Sequence, residues 1–231
     1  MPSSSETAKT PPTPTAVKTM QSVSPRSEPV QSRSIKRAQQ ILDVTSELLE
    51  TVGLNDLNTA IIAKEVGISV GSLYHYFPNK HAILYAMGKS WLDSIEVVLT
   101  EIQEWSLETM TLSAFIDQVI DTNLRTYRQQ RAVLGLVQAM FSVQELRELD
   151  ERHDDMVISQ MAKVFKRIGL KKHVRERERI ARLYLEVTHS TYLVVVNQNE
   201  RRASRTLSDL KLMLTCLLER HLSDADMDTS I

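Results

Sequence analysis

The residues whose types and spacing suggest chemistry lie between Asn58 and Lys80. Gly67-Ile68-Ser69 separates two short apolar-patterned segments, Thr59 to Val66 and Val70 to Tyr76. A tight turn with glycine in it lets two helices cross steeply. The second segment opens with small residues, Val70, Gly71 and Ser72, and closes with hydrogen-bonding tips, Tyr74, His75 and Tyr76. Small side chains at a helix N-terminus allow close approach to base edges in a major groove. Hydroxyl and imidazole tips can bond to bases or phosphates. Leu73 and Phe77, four apart, are the inward anchors of the same helix. The pattern implies that one face packs while the other reads double-stranded DNA.

The remaining candidates have blander readings. No nucleophile–base pair, phosphate loop or metal-ligand spacing is present, so neither an enzyme nor a cofactor is expected. His153, Asp154 and Asp155 are consecutive, and consecutive helical residues diverge, so no metal site is expected from them. The single cysteine, Cys216, rules out an intrachain disulfide and reads as a small buried hydrophobe. A basic run from Lys163 to Arg182 is interleaved with Glu176 and Glu178 and reads as a solvated face. His189 and Tyr192 share a helix face. They suit either a ligand or a subunit interface. Trp91, Trp105, Met110, Phe115, Tyr127, Met140, Phe141 and Phe165 are each expected in the core.

The elements that must position these residues are helical throughout. Ala38, Ile41, Leu42, Thr45, Leu48, Leu49 and Val52 recur at i, i+3, i+4, i+7 spacing, which predicts a first helix ended by Gly53. Asn55 to Leu57 reads as a loop. Asn58 caps the second helix and Ser69 the third. Phe77 precedes Pro78, which stops the third helix. A fourth begins near Asn79 and Lys80 and runs to about Glu104. Further helices are expected near 110–130, 132–140, 143–168, 174–200 and 205–221. The fold class is therefore all-α: three helices in an N-terminal DNA-binding domain plus a larger helical domain, about nine helices in all.

Composition agrees with that class. Glycine (6), proline (7) and aromatic residues (5%) are scarce, which favours long helices. Formal net charge is −1, and residues 33–80 hold five Lys or Arg against five Asp or Glu. Any DNA contact must therefore be placed rather than diffuse. No apolar stretch reaches membrane-spanning length and no signal-peptide core opens the chain, so a cytoplasmic protein is expected. Residues 1–32 hold six of the seven prolines among many Ser and Thr, and read as a disordered tail. Its basic end, with Arg33 and Lys36, is either passive or an arm that touches DNA.

Arg37 to Leu84, and above all the run from Gly67 to Lys80, resembles the signature of the TetR (tetracycline-repressor) family. The resemblance includes Ile62-Ala63 and the Gly53 stop. It implies that Thr59, Tyr74, Tyr76 and Lys80 contact phosphate, and that Val70, Gly71, Ser72 and His75 meet bases. Ala60 departs from the pattern, because some members carry a guanine-reading arginine there. The larger domain resembles the family's ligand-binding and dimerisation domain in helix number and length only.

By that resemblance the partners are an operator, a small-molecule effector and a second copy of the chain, with no membrane. Trp91, Trp105, Phe115, Tyr127, Met140 and Phe141 are the candidate ligand residues, and their few charges suggest an apolar or amphipathic effector. Stripes through Leu183, Val187, Thr191 and Val194, and through Leu210, Leu214 and Leu217, pack either inside one subunit or across a dimer. The resemblance favours the dimer. The expected domains are a tail (1–32), the DNA-binding domain (33–80), the ligand and dimerisation domain (81–222) and a tail (223–231). The implied function is a ligand-released repressor. The alternative is a ligand sensor that acts through a protein partner, with a weakened DNA reader.

Overall fold

The computed structural model describes residues 32–130 and 132–223. Apart from their inner ends, the two tails lie outside the described residues. The helical period of the sequence is realised as ten helices, with no strand among the described residues. They are α1 (Ser32–Thr51), α2 (Gly53–Asp56), α3 (Thr59–Val66), α4 (Val70–Tyr76), α5 (Lys80–Gln103), α6 (Leu112–Gln129), α7 (Val133–Ser142), α8 (Gln144–Arg167), α9 (Val174–Val195) and α10 (Glu200–Ser223).

The helix beyond the expected nine is α2. Gly53 takes the left-handed backbone (φ 76°) that ends α1. The chain then coils through one more turn, closed by the Leu57 N–H donating to Gly53 O at 3.2 Å. Leu57 is buried, which anchors the turn. The α9–α10 boundary also differs from expectation. Asn199 Oδ1 accepts from Arg202 N at 3.1 Å, an N-cap bond that lets α10 begin at Glu200 rather than near 205.

Two devices fix how the helices stack. Arg167 donates to the carbonyls of Gln103 and Trp105 and pairs with Glu108, so one guanidinium covers the open C-terminal carbonyls of α5 and ties α8 to the α5–α6 connection. The pairing holds the Glu108 carboxyl down to about 2. At α7, a Cβ on Gly135 would stand 2.6 Å from Leu49 Cγ, so only glycine lets α7 lie this close to α1.

Two sequence expectations are corrected here. On α10, Leu210 and Leu214 are buried inside the subunit together with Leu218, and Leu217 is half-buried. The outward face carries Leu212 and Met213 instead, and Cys216 is exposed rather than buried. The physical reason is that α10 spends its apolar stripe on α6 and α9, where Lys211 also bridges Asp117 and Asp121 at 3.0 Å each. On α9, Ile180, Tyr184, Thr188, Tyr192 and Val195 face inward. Leu183 and Val194 are exposed, with Val187 and Thr191 half-buried.

Candidate nucleic-acid interface and enclosed cavity

Helices α3 and α4 build the first candidate site. Asn58 Oδ1 accepts from the N–H groups of Ala60 and Ile61, which starts α3. Gly67 takes φ 75°, and the Ile68 N–H then returns to Ala63 O at 2.9 Å, closing a Schellman-type stop. Ser69 Oγ accepts from Ser72 N at 3.0 Å and starts α4. Leu73 and Phe77 are buried as their spacing requires. The opposite side of α4 exposes Gly71, Ser72, Tyr74 and His75, while Val70 and Tyr76 are half-buried. The His75 and Tyr76 rings meet edge to face at 5.7 Å.

The expected phosphate-contact residues are not all unengaged. Thr59 Oγ1 and the Tyr74 hydroxyl are 3.1 Å apart, so the two hydrogen-bond and lock the start of α3 to α4. Lys80 Nζ donates to Leu54 O at 3.2 Å, joining the first turn of α5 to α2. An ammonium has three donors, so two remain for an outside acceptor. Asn79 Oδ1 caps α5 by accepting from Ala82 N at 2.8 Å. Arg33 and Lys36 are exposed on the first turns of α1, in a helix rather than an extended arm.

The second candidate site is a cavity of about 40 Å³ enclosed by α5, α6, α8 and α9. Of the six residues expected to meet a ligand, two line it. Trp91 and Tyr127 line it, with ring centroids 5.5 Å apart. Phe115 is buried elsewhere in the core, and Met140 packs towards Gly88. Trp105 is half-buried outside the cavity, and Phe141 is 70% exposed on α7. The aromatic residues are spread over several helix faces, and periodicity could not show which faces converge.

The walls are also more polar than expected. Asp150, His153 and Asp154 line the cavity from α8, and Tyr184, Thr188, His189 and Tyr192 from α9. Asp150 and Asp154 are i, i+4 on α8, and that spacing was the readable signal for a shared face. The Tyr127 hydroxyl lies 2.6 Å from His189 Nδ1. Burial pushes His189 down, and its Nδ1 shares a hydrogen bond with the Tyr127 hydroxyl whose direction follows the imidazole tautomer. Burial, with Asp154 as the next cause, pushes Asp150 up to about 6. Burial also raises the hydroxyls of Tyr127, Tyr184 and Tyr192, which stay neutral. His189 and Tyr192 thus both line the cavity.

Among the described residues no cluster of three His, Cys, Asp or Glu could hold a metal ion, and no helix is long and apolar enough to cross a membrane.

Comparison with known proteins adds three findings. The family description "Bacterial regulatory proteins, tetR family" fits residues 41–87, and "Tetracyclin repressor-like, C-terminal domain" fits residues 111–218. The chain is 37% identical over 107 residues to the nucleoid occlusion factor SlmA of Mannheimia succiniciproducens, a match covering 43% of this chain and 48% of that protein. It is 27% identical over 130 residues to the HTH-type transcriptional regulator BetI of Vibrio atlanticus, covering 54% of this chain and 64% of that one. The chain therefore spans about half of the first relative and just under two thirds of the second. In fold it is similar to a crystallised regulator from Mesorhizobium loti, with a TM-score of 0.60 at 14% identity over 84% of this chain and 98% of the other.

Proposed function

The chain belongs to the tetracycline-repressor (TetR) family and is a transcriptional regulator, not an enzyme; from that premise we propose that it is a homodimeric repressor released from a near-palindromic operator by a small molecule. The observation that carries the reading is the outward face of α4. Gly71 and Ser72, with Val70 at the edge and His75 beside them, form a surface for base edges, and the Ser69 cap and the Thr59–Tyr74 bond hold that helix in place. Thr59, Tyr74, Tyr76 and Lys80 flank it as phosphate contacts, with Arg33 and Lys36 on α1 as outer backbone contacts. The reader is assigned to 33–80 and the sensing and pairing part to 81–222. Its place of work is the cytoplasm.

One such face reads one half-site. Two faces held about 34–36 Å apart would enter successive major grooves. The outward residues of α9 and α10, Leu183, Val187, Val194, Leu212 and Met213, supply an apolar surface for pairing. Helix α5 begins beside the reader at Lys80 and carries Trp91 into the cavity wall. A ligand that favours one tilt of α5 would change the spacing of the two readers and shift the population away from DNA.

The test is a gel-shift with the DNA upstream of the gene, using the wild type, Tyr74→Ala and Lys80→Ala. Both variants should bind at least tenfold more weakly while sedimenting as the wild type does. Circular dichroism checks Lys80→Ala, because its bond to Leu54 O also supports the fold. Unchanged affinity in both variants would sink the assignment.

A further inference from the structure

We propose that the cavity between α5, α6, α8 and α9 takes a small organic cation that carries a hydrogen-bond-accepting oxygen, of which a protonated amino alcohol is the minimal form. This deepens the reading of that cavity as the effector site and rests on it.

Unpartnered polar atoms supply the first argument. Among the described residues, four buried side-chain nitrogen or oxygen atoms lack a hydrogen-bond partner. Three of them, Trp91 Nε1, His153 Nε2 and the Tyr184 hydroxyl, belong to residues that line this one cavity. Trp91 and Tyr184 are 2% and 4% exposed. Buried polar groups are almost always bonded, so a cluster of orphans marks a place where something else bonds them. The indole N–H is a donor only. The occupant must therefore offer an acceptor.

Charge supplies the second argument. Asp150 and Asp154 line the cavity, and no lysine or arginine does. Burial disfavours the charged form of His189, whose Nδ1 is already engaged with the Tyr127 hydroxyl. The other charged or titratable neighbours of Asp150 are Glu151 and His153 on α8 and Glu186 on α9. The wall is thus net negative and would repel an anion. His153 Nδ1 lies 4.0 Å from Asp154 Oδ1, but no permanent cation lines the cavity, so an apolar occupant would leave Asp150 with none beside it. The rings of Trp91, Tyr127 and Tyr192 form an aromatic corner, with centroids 5.5 Å and 4.9 Å apart, of the kind that attracts an organic cation. Water could bond the orphan atoms and hydrate the carboxylates, but it supplies no opposite charge. The cavity of about 40 Å³ has room for roughly three water-sized bodies, which sets the scale at a few heavy atoms.

Three isosteric probes separate these terms on the full chain by calorimetry at pH 7.5. Ethanolamine carries both the charge and the acceptor, propan-1-ol keeps the hydroxyl without the charge, and propylamine keeps the charge without the hydroxyl. Ethanolamine should bind saturably and the other two at least tenfold more weakly. Asp150→Asn should weaken ethanolamine at least tenfold and leave propan-1-ol unchanged. Trp91→Phe, which removes the indole N–H, should bring ethanolamine towards propylamine. Propan-1-ol binding as well as ethanolamine, or no saturable binding of ethanolamine to the folded protein, would overturn the proposal. The readout needs no DNA. Ethanolamine that binds without releasing operator would uphold the cation site and count against the repressor reading, whereas loss of operator binding in Tyr74→Ala without any ethanolamine binding would do the reverse.

Discussion

Glu50 Oε1 lies 2.9 Å from the backbone nitrogen of Ala132, so a carboxylate near the end of α1 accepts from the residue that starts α7. Ala132 has no side-chain cap of its own and sits at φ 56° and ψ 25°. A carboxylate at a helix N-terminus is well placed against the helix dipole. The bond joins a helix of the proposed reader to the helices of the proposed sensor.

That junction predicts opposite effects at its two ends. Glu50→Ala should lower stability by about 1 kcal/mol, because the Ala132 N–H loses its acceptor. Ala132→Gly should raise stability by about 0.5–1 kcal/mol, because glycine adopts the left-handed backbone without the Cβ clash. Urea unfolding of both variants measures this, and a destabilised Ala132→Gly would show that the backbone there is unstrained.

Close packing of Gly135 on Leu49 predicts a size effect. Gly135→Ala places its Cβ about where the Leu49 side chain stands and should cost about 1–3 kcal/mol. Adding Leu49→Ala should recover part of the loss, because the two residues share one space. Strictly additive losses in a thermal-unfolding cycle would contradict that packing.

Asp150 predicts a stability gain on removing a charge. Its folded value, about 6, lies above its ordinary 3.8. The folded state therefore holds the proton more tightly than the unfolded state. The cost builds up as pH rises from 3.8 to about 6 and is full above that value. After discounting for its partial exposure, Asp150→Asn should be about 1 kcal/mol more stable than wild type at pH 7.5. The advantage should vanish below pH 4, as read by unfolding at both pH values. A variant that is less stable at pH 7.5 would mean that the carboxylate has a structural partner.

The two faces of α9 and α10 predict separable phenotypes. Val194→Glu and Met213→Glu alter exposed side chains, so the fold should persist while sedimentation shows monomers and operator affinity falls. Leu214→Ala empties a buried site and should cost about 2–5 kcal/mol of stability. Dimers that survive both glutamate substitutions would place the pairing surface elsewhere.

The reader was legible in the sequence because its determinants are local. Asn58, Gly67, Ser69, Phe77 and Asn79 each act on backbone within a few residues of themselves, and every one stands in the role its type dictates. Where local signals were weaker, boundaries slipped. The α2 turn depends on Leu57 finding the core, and α10 begins early because Asn199 caps it.

The cavity was only partly legible. Trp91 and Tyr127 were identified, but Phe115, Met140, Trp105 and Phe141 were placed there by residue type alone. The first two pack elsewhere, the third is half-buried outside the cavity and the last is exposed. Asp150 was not singled out and Asp154 was weighed only as a metal ligand, because carboxylates on a charged helix usually face water.

By itself, then, the sequence determined the starts and stops of α3 and α4, the turn between them and the outward face of α4. Each of these follows from contacts a few residues apart along the chain. The tertiary structure alone decided which sides of α9 and α10 remain open and which side chains of four helices share one cavity. It also decided that this cavity is polar and acidic. Those outcomes depend on the rotation of each helix about its axis, and that rotation is fixed only when neighbours distant in sequence, such as Leu49 with Gly135 or Tyr127 with His189, pack together.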